Sequence, residues 1–196
     1  NEFCKKDFDK KIQHNAQGLL KWLRDMKINR LSFKNKRRVD IKKIFCNSLP
    51  TYLVVGQNDF ESNLSFNLQQ NPNISHFKSS LELLKYCQEI QKNKFNILYK
   101  PHPKMKQYEK REISKSRISD KTFVIYDDVD INHIIDAADA TITISSSTSF
   151  ISLIRGKNVF LTGLNELSYK KICYESNSKE EFAENIDLFT KKRRYK

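Results

Sequence analysis

Short apolar runs alternate with helically spaced apolar positions along most of this chain. Thr51-Tyr52-Leu53-Val54-Val55, closed by Gly56, is the pattern of a strand buried on both faces. A polar loop follows to about Ser75, and then Leu81, Leu84, Tyr86, Cys87 and Ile90 predict a helix over 79–92, with Ser80 as a candidate cap. The alternation repeats: strand 95–99, short helix 108–116, strand 122–126, helix 131–138, strand 141–144, helix 148–155 stopping at Gly156, strand 158–162, and a closing helix 179–190 capped by Ser178. Phe95, Tyr99, Phe123, Phe150 and Phe160 fall on predicted apolar faces and read as core. Upstream, Phe8, Ile12, Leu19, Leu20 and Leu23 predict a helix over 8–26, and 27–48 is basic and loop-like.

Strands alternating with helices of about ten residues indicate βαβ units. The expected fold is therefore α/β, a Rossmann-like, doubly wound, mainly parallel sheet of about five strands covered on both faces. The expected organisation is an N-terminal helix and basic linker over 1–48, followed by one nucleotide-binding domain over 49–196.

Composition narrows the class. A chain of 196 residues supports one well-cored domain with an appendage. It opens on Asn1 rather than Met, which suggests a piece of a longer polypeptide. With 38% hydrophobic and 30% charged residues, and no stretch near the roughly 18–20 apolar residues of a membrane span or a signal-peptide core, a cytoplasmic globular protein is expected. The four cysteines, Cys4, Cys46, Cys87 and Cys173, lack metal-ligand spacing and read as free thiols, without a disulfide framework or a zinc site. Four glycines in the whole chain supply neither a dinucleotide-binding fingerprint nor a P-loop, which disfavours a nicotinamide enzyme and a P-loop ATPase. The net charge of +13 is concentrated in 34–43 (KNKRRVDIKK) and 191–196 (KKRRYK). Those clusters suit peripheral contact with an anionic membrane or a phosphate-rich acceptor as well as simple solvation by lysine; nucleic acid is the less expected partner.

The candidate chemistry lies where strands end. Lys100-Pro101-His102-Pro103 follows one predicted strand, and Ser145-Ser146-Ser147-Thr148-Ser149 follows another and opens a helix. In open α/β sheets ligands bind at that edge. A histidine locked between prolines, with hydroxyls and backbone N–H groups before a helix, makes a cradle for a nucleotide phosphate. Lys100 is placed either to pair with that phosphate or to lie exposed. His14, His76 and His133 read as surface or cap residues, and Asp127, Asp128 and Asp130 as an acidic turn rather than a metal site.

These residues, with Gly56 to Ser62, Asp139 to Phe150, Leu153 to Val159, Gly163 and Tyr169, resemble in order and approximate spacing the bacterial capsule polysaccharide biosynthesis proteins, in particular their β-Kdo transferase group. The resemblance covers about 49–172 and rests on the conjunction of motifs. It implies the C-terminal, CMP-sugar-binding domain of a GT-B-like glycosyltransferase, with no metal and no cofactor beyond the donor. His102 and Pro103 match the family's His-Pro motif, and Ser146 and Ser147 its Ser-Ser motif, which together hold the departing CMP. Imidazole, hydroxyl and amide donors offset the charge developing on that phosphate. The family's Gln-x-x-x-Asp motif falls on Gln57, but its catalytic aspartate is replaced by Glu61, with Asp59 two residues earlier as the other candidate carboxylate. Ile151 stands where relatives carry a ribose-binding glutamate, and Ser149 replaces a glycine. The implied partners are a CMP-sugar donor and a glycolipid or polysaccharide acceptor at the cytoplasmic face of the inner membrane. Alternatives are a CMP-sialic acid-dependent transferase, a CDP-linked teichoic-acid-type transferase, and a non-catalytic remnant that binds a nucleotide or a partner protein.

Overall fold

A computed structural model describes residues 17–18, 21, 40–58, 75–105, 107–115, 120–126 and 129–194. The chain divides into two units, Asn1–Asn35 and Lys36–Lys196. In the first, Gln17, Gly18 and Lys21 are helical, and the rest of the helix expected over 8–26 lies outside the described residues.

The second unit runs α1 (Ile41–Ile44), β1 (Thr51–Val55), α2 (Ser80–Gln91), β2 (Asn96–Lys100), α3 (Gln107–Lys115), β3 (Thr122–Val124), α4 (Ile131–Ala137), β4 (Ala140–Thr143), α5 (Thr148–Ile154), β5 (Asn158–Leu161), β6 (Tyr174–Glu175) and α6 (Lys179–Arg194). The strands form one parallel sheet in the order β3-β2-β1-β4-β5-β6. That order reverses between β1 and β4, the switch point at which doubly wound sheets open a ligand crevice beyond their carboxyl ends. The expected fold class is the observed one.

Alternation along each strand builds two cores. Tyr52, Val54, Ile97, Tyr99 and Ile142 join Leu84, Ile113, Phe182 and Ile186 from α2, α3 and α6 on one face. Leu53, Val55 and Leu98 join Phe45, Ile131, Ile134 and Ile135 on the other. Both faces are covered, which is why the strands read as continuous apolar runs rather than as alternating ones. Left-handed backbone at Lys92 and Asn93 ends α2, and Gly156, at φ 72°, follows α5 where a glycine stop was expected.

Four expectations change. The stretch 27–48 is not all loop: its apolar trio Ile41, Ile44 and Phe45 includes a short helix, and Phe45 is buried in the second core. Ser79, not Ser80, caps α2, its Oγ accepting the Glu82 N–H at 3.1 Å. Phe123 and Phe150 are 42% and 50% exposed rather than core, because the edge strand β3 and the outer side of α5 leave those faces uncovered. A sixth strand, β6, is present; two residues carry too little periodicity to be seen in sequence.

Candidate nucleotide-phosphate site at the carboxyl edge

Three loops meet at the switch point. Gly56–Asn58 follows β1, Pro101–Met105 follows β2, and Ile144–Ser147 follows β4. Because β1 lies between β2 and β4, the latter two end two strand spacings apart, roughly 10 Å.

Gly56 makes the first junction possible. Its N–H donates to the Lys100 carbonyl at 2.9 Å. A Cβ at this position would fall 2.9 Å from the Tyr99 hydroxyl, 3.0 Å from Pro101 Cα and 3.1 Å from the His102 nitrogen, so only glycine lets the two loops touch. The Lys104 N–H donates to His102 Nδ1 at 3.2 Å. A neutral imidazole that accepts at Nδ1 carries its proton on Nε2, so His102 is set up as an Nε2–H donor. Pro101 is buried, while Pro103 turns outward into solvent. Lys100 is not exposed: at 7% it is buried at the end of β2.

Gln57 makes the second junction. Its N–H donates to Ser80 Oγ at 2.9 Å. Its Oε1 accepts both the Ser145 N–H at 3.1 Å and the Ser145 hydroxyl at 3.2 Å. The oxygen is thereby identified by its donors, and the amide Nε2, buried without a hydrogen-bond partner, is the end left to donate. Gln57, Ser80, Tyr99 and His102 line one small pocket together with Leu81 and Met105.

The serine run divides its work. Ser145 holds Gln57. Ser146 Oγ accepts the Thr148 N–H at 3.3 Å and donates to Thr148 Oγ1 at 3.2 Å, which starts α5. Ser147 occupies the cap position without a side-chain cap bond and is exposed, so its hydroxyl is the one presented at the tip of the turn. Ser149 is buried, donating to the Ser146 carbonyl at 2.7 Å and accepting from Asn165 at 3.1 Å. Ile151 is packed against the Phe45 and Val55 cluster.

The structure thus brings Gln57, His102 and Ser145–Thr148 to one edge, with Lys100 and Pro103 beside them. Asp59 and Glu61 lie outside the described residues, as do Asp127 and Asp128. Asp130 caps α4, accepting the Asn132 N–H at 3.0 Å. Among the described residues no group of three His, Cys, Asp or Glu side chains could hold a metal ion. Sequence reading missed Ser80 as the seat of the Gln57 loop and Asn165 as the support of Ser149, since both act through contacts distant in sequence. A serine next to a better capping serine was the available sign for Ser80.

The profile of the capsule polysaccharide biosynthesis proteins matches residues 1–191. No curated protein matches the chain in sequence. In three dimensions it is similar to a β-Kdo 2,4 transferase, KpsC of Thermosulfurimonas dismutans, at 18% identity and TM-score 0.61, over 88% of this chain and 54% of that one. It is also similar to the β-Kdo 2,7 transferase of the same KpsC, at 23% identity and TM-score 0.53, over 85% of this chain and 46% of that one. The chain therefore spans about half the length of each of these structures, and at such identities the likeness concerns the fold.

Proposed function

This chain belongs to the family of capsule polysaccharide biosynthesis proteins, and from that premise we propose that it is the donor-binding half of a glycosyltransferase that takes Kdo or a related sugar from its CMP-activated form. The observation that carries the reading is the joining of three loops at the switch point, with Gln57 bonded to Ser145 and sharing a pocket with His102. The donors gathered there suit a phosphate monoester. In this reading the His102 Nε2–H, the Gln57 amide and the hydroxyl of Ser147 meet the phosphate of departing CMP, and Ser146 shapes the turn that presents them. Hydrogen bonds of this kind strengthen as charge moves onto the leaving group, which favours bond cleavage at the anomeric carbon. The acid on the sugar side is assigned to the loop after β1, to Glu61 ahead of Asp59, acting without a metal or a further cofactor. The acceptor is a glycolipid or growing polysaccharide at the cytoplasmic face of the inner membrane.

Titration calorimetry with CMP, CDP and UMP tests the reading. CMP should bind tightest; preference for CDP would support a CDP-linked donor, and no binding by any of the three would sink the nucleotide assignment. A second reading, binding without transfer, is favoured by one observation: Ile151, at the position where relatives carry a ribose-binding glutamate, is packed against the apolar cluster. CMP binding without turnover of any CMP-sugar in the full-length protein would select it.

A further inference from the structure

Exposed apolar side chains gather in the loop between β5 and β6. Leu164, Tyr169 and Ile172 are 41%, 79% and 53% exposed. Lys170 and Lys171, both exposed, lie between the last two, and with Glu166 as the loop's exposed acid the segment stays net positive. The loop leaves the carboxyl end of β5, the edge that carries the Ser146–Ser147 turn, and re-enters the sheet in parallel at Tyr174, opposite Phe160. Its base is fixed there: Asn165 Nδ2 donates to Ser149 Oγ at 3.1 Å, and Leu167 is buried beside Val159 and Leu161. Its tip is fixed as well. The Tyr169 N–H donates to the Glu175 carboxylate at 2.8 Å, and Tyr169 and Lys171 hold left-handed φ values of 65° and 57°. Residues with side chains keep that backbone only where the surroundings impose it.

The basic residues 191–193 face elsewhere. Arg193 forms an ion pair with Asp139. The other oxygen of Asp139 accepts the N–H of Thr51, the first residue of β1, at 2.7 Å. Lys191, Lys192 and Arg193 therefore sit at the amino edge of the sheet, away from the three loops.

We propose that the 164–172 loop docks on an anionic lipid surface, with Tyr169 and Ile172 in the headgroup layer and Lys170 and Lys171 against lipid phosphates. Tyrosine suits such a boundary because one end of its ring is apolar and the other polar. Exposed apolar side chains beside lysines match a surface that is negative outside and apolar beneath. The proposal stands on the loop itself and does not depend on what the neighbouring sheet edge binds.

The test is sedimentation of the full-length protein with vesicles of phosphatidylcholine containing about one third phosphatidylglycerol, and with phosphatidylcholine alone. Binding should need the anionic lipid. The pair Lys170→Glu, Lys171→Glu should lower partitioning at least about 25-fold, at about fivefold per lysine. Tyr169→Ser with Ile172→Ser should also weaken it on the anionic vesicles, and Lys191→Glu with Lys192→Glu should change it less than the loop pair. Wild-type partitioning by the loop variants, an equal or larger loss in the tail variant, or loop variants that lose only a co-purifying protein would each overturn the proposal. CMP binding, measured separately on the same variants, should not change. Its absence in the wild type would sink the nucleotide reading and leave the lipid result standing.

Discussion

Gln57 and Ser145, 88 positions apart, are joined by two hydrogen bonds into one oxygen, at 3.1 Å from the Ser145 N–H and 3.2 Å from its hydroxyl. The pair ties the loop after β1 to the loop after β4 across the switch point, and it sets which end of the amide can donate. Gln57→Leu leaves the Ser145 donors without that acceptor and should cost about 1–3 kcal/mol in stability. Urea unfolding would measure it. CMP affinity should fall in parallel, since the turn carrying Ser146 and Ser147 loses its anchor. Gln57→Glu should keep much of the stability, because the acceptor remains, but lose CMP affinity through repulsion of the phosphate.

His102→Ala should weaken CMP binding by about 1.5–3 kcal/mol, the range for a hydrogen bond to a charged group. Ser146→Ala should do the same through loss of the turn, and Ser147→Ala through loss of the presented hydroxyl. Lys104→Ala should change little, because the backbone N–H that meets the imidazole is kept. Equal affinities in all four variants would place the nucleotide elsewhere.

Gly56→Ala tests whether the first and second loops form one unit. Its new Cβ would press on Pro101 Cα at 3.0 Å and the His102 nitrogen at 3.1 Å, which are backbone atoms that cannot rotate away. Overpacking of this kind costs about 1–3 kcal/mol. Tyr99→Phe in the same chain removes the hydroxyl contact alone, so it should restore only part of the loss in thermal unfolding.

Much of this was legible in sequence. The runs 51–55, 95–99 and 141–144 announce themselves because a sheet covered on both faces needs unbroken apolar strands, and the Lys-Pro-His-Pro and serine motifs fall where the second and third of them stop. Contacts between distant segments were not legible: the paired serines 79 and 80 leave one free of capping, but nothing local names Gln57 as the partner of Ser80, or Asn165 as a support for Ser149. The two phenylalanines taken for core, Phe123 and Phe150, had the correct period, but only the order of strands tells which faces stay uncovered.

The ion pair of Lys179 with Glu82, at 2.7 Å, joins the first turns of α2 and α6. Burial alone would raise the Glu82 pKa, but the hydrogen bonds from Lys179 and the Lys78 N–H outweigh it and hold the carboxyl below its ordinary value. A depressed carboxylate stabilises the fold above its unfolded pKa and loses that contribution as pH falls through the folded one. Glu82→Gln should therefore destabilise the protein near neutral pH, by under about 1 kcal/mol for so exposed a pair. The difference from wild type should shrink in denaturant titrations carried into the acid range.

The last prediction concerns the carboxylate on the sugar side. The loop that opens at Gly56 begins at the same sheet edge as His102 and Ser146, and Asp59 and Glu61 follow within five residues in sequence. Glu61 is four residues beyond Gln57, the spacing of the family motif it resembles, whereas Asp59 would require a shorter loop. A residue that acts on the anomeric carbon contributes in the transition state rather than to nucleotide affinity. Glu61→Gln should accordingly cut turnover of a CMP-sugar by several orders of magnitude in the full-length protein while leaving the calorimetric CMP affinity nearly unchanged. Glu61→Asp should retain part of the activity, because the carboxylate survives but moves by one methylene, and misplacement on the order of 1 Å costs about 100-fold. Full transfer by Glu61→Gln, with loss in Asp59→Asn, would move the assignment two residues toward Gln57.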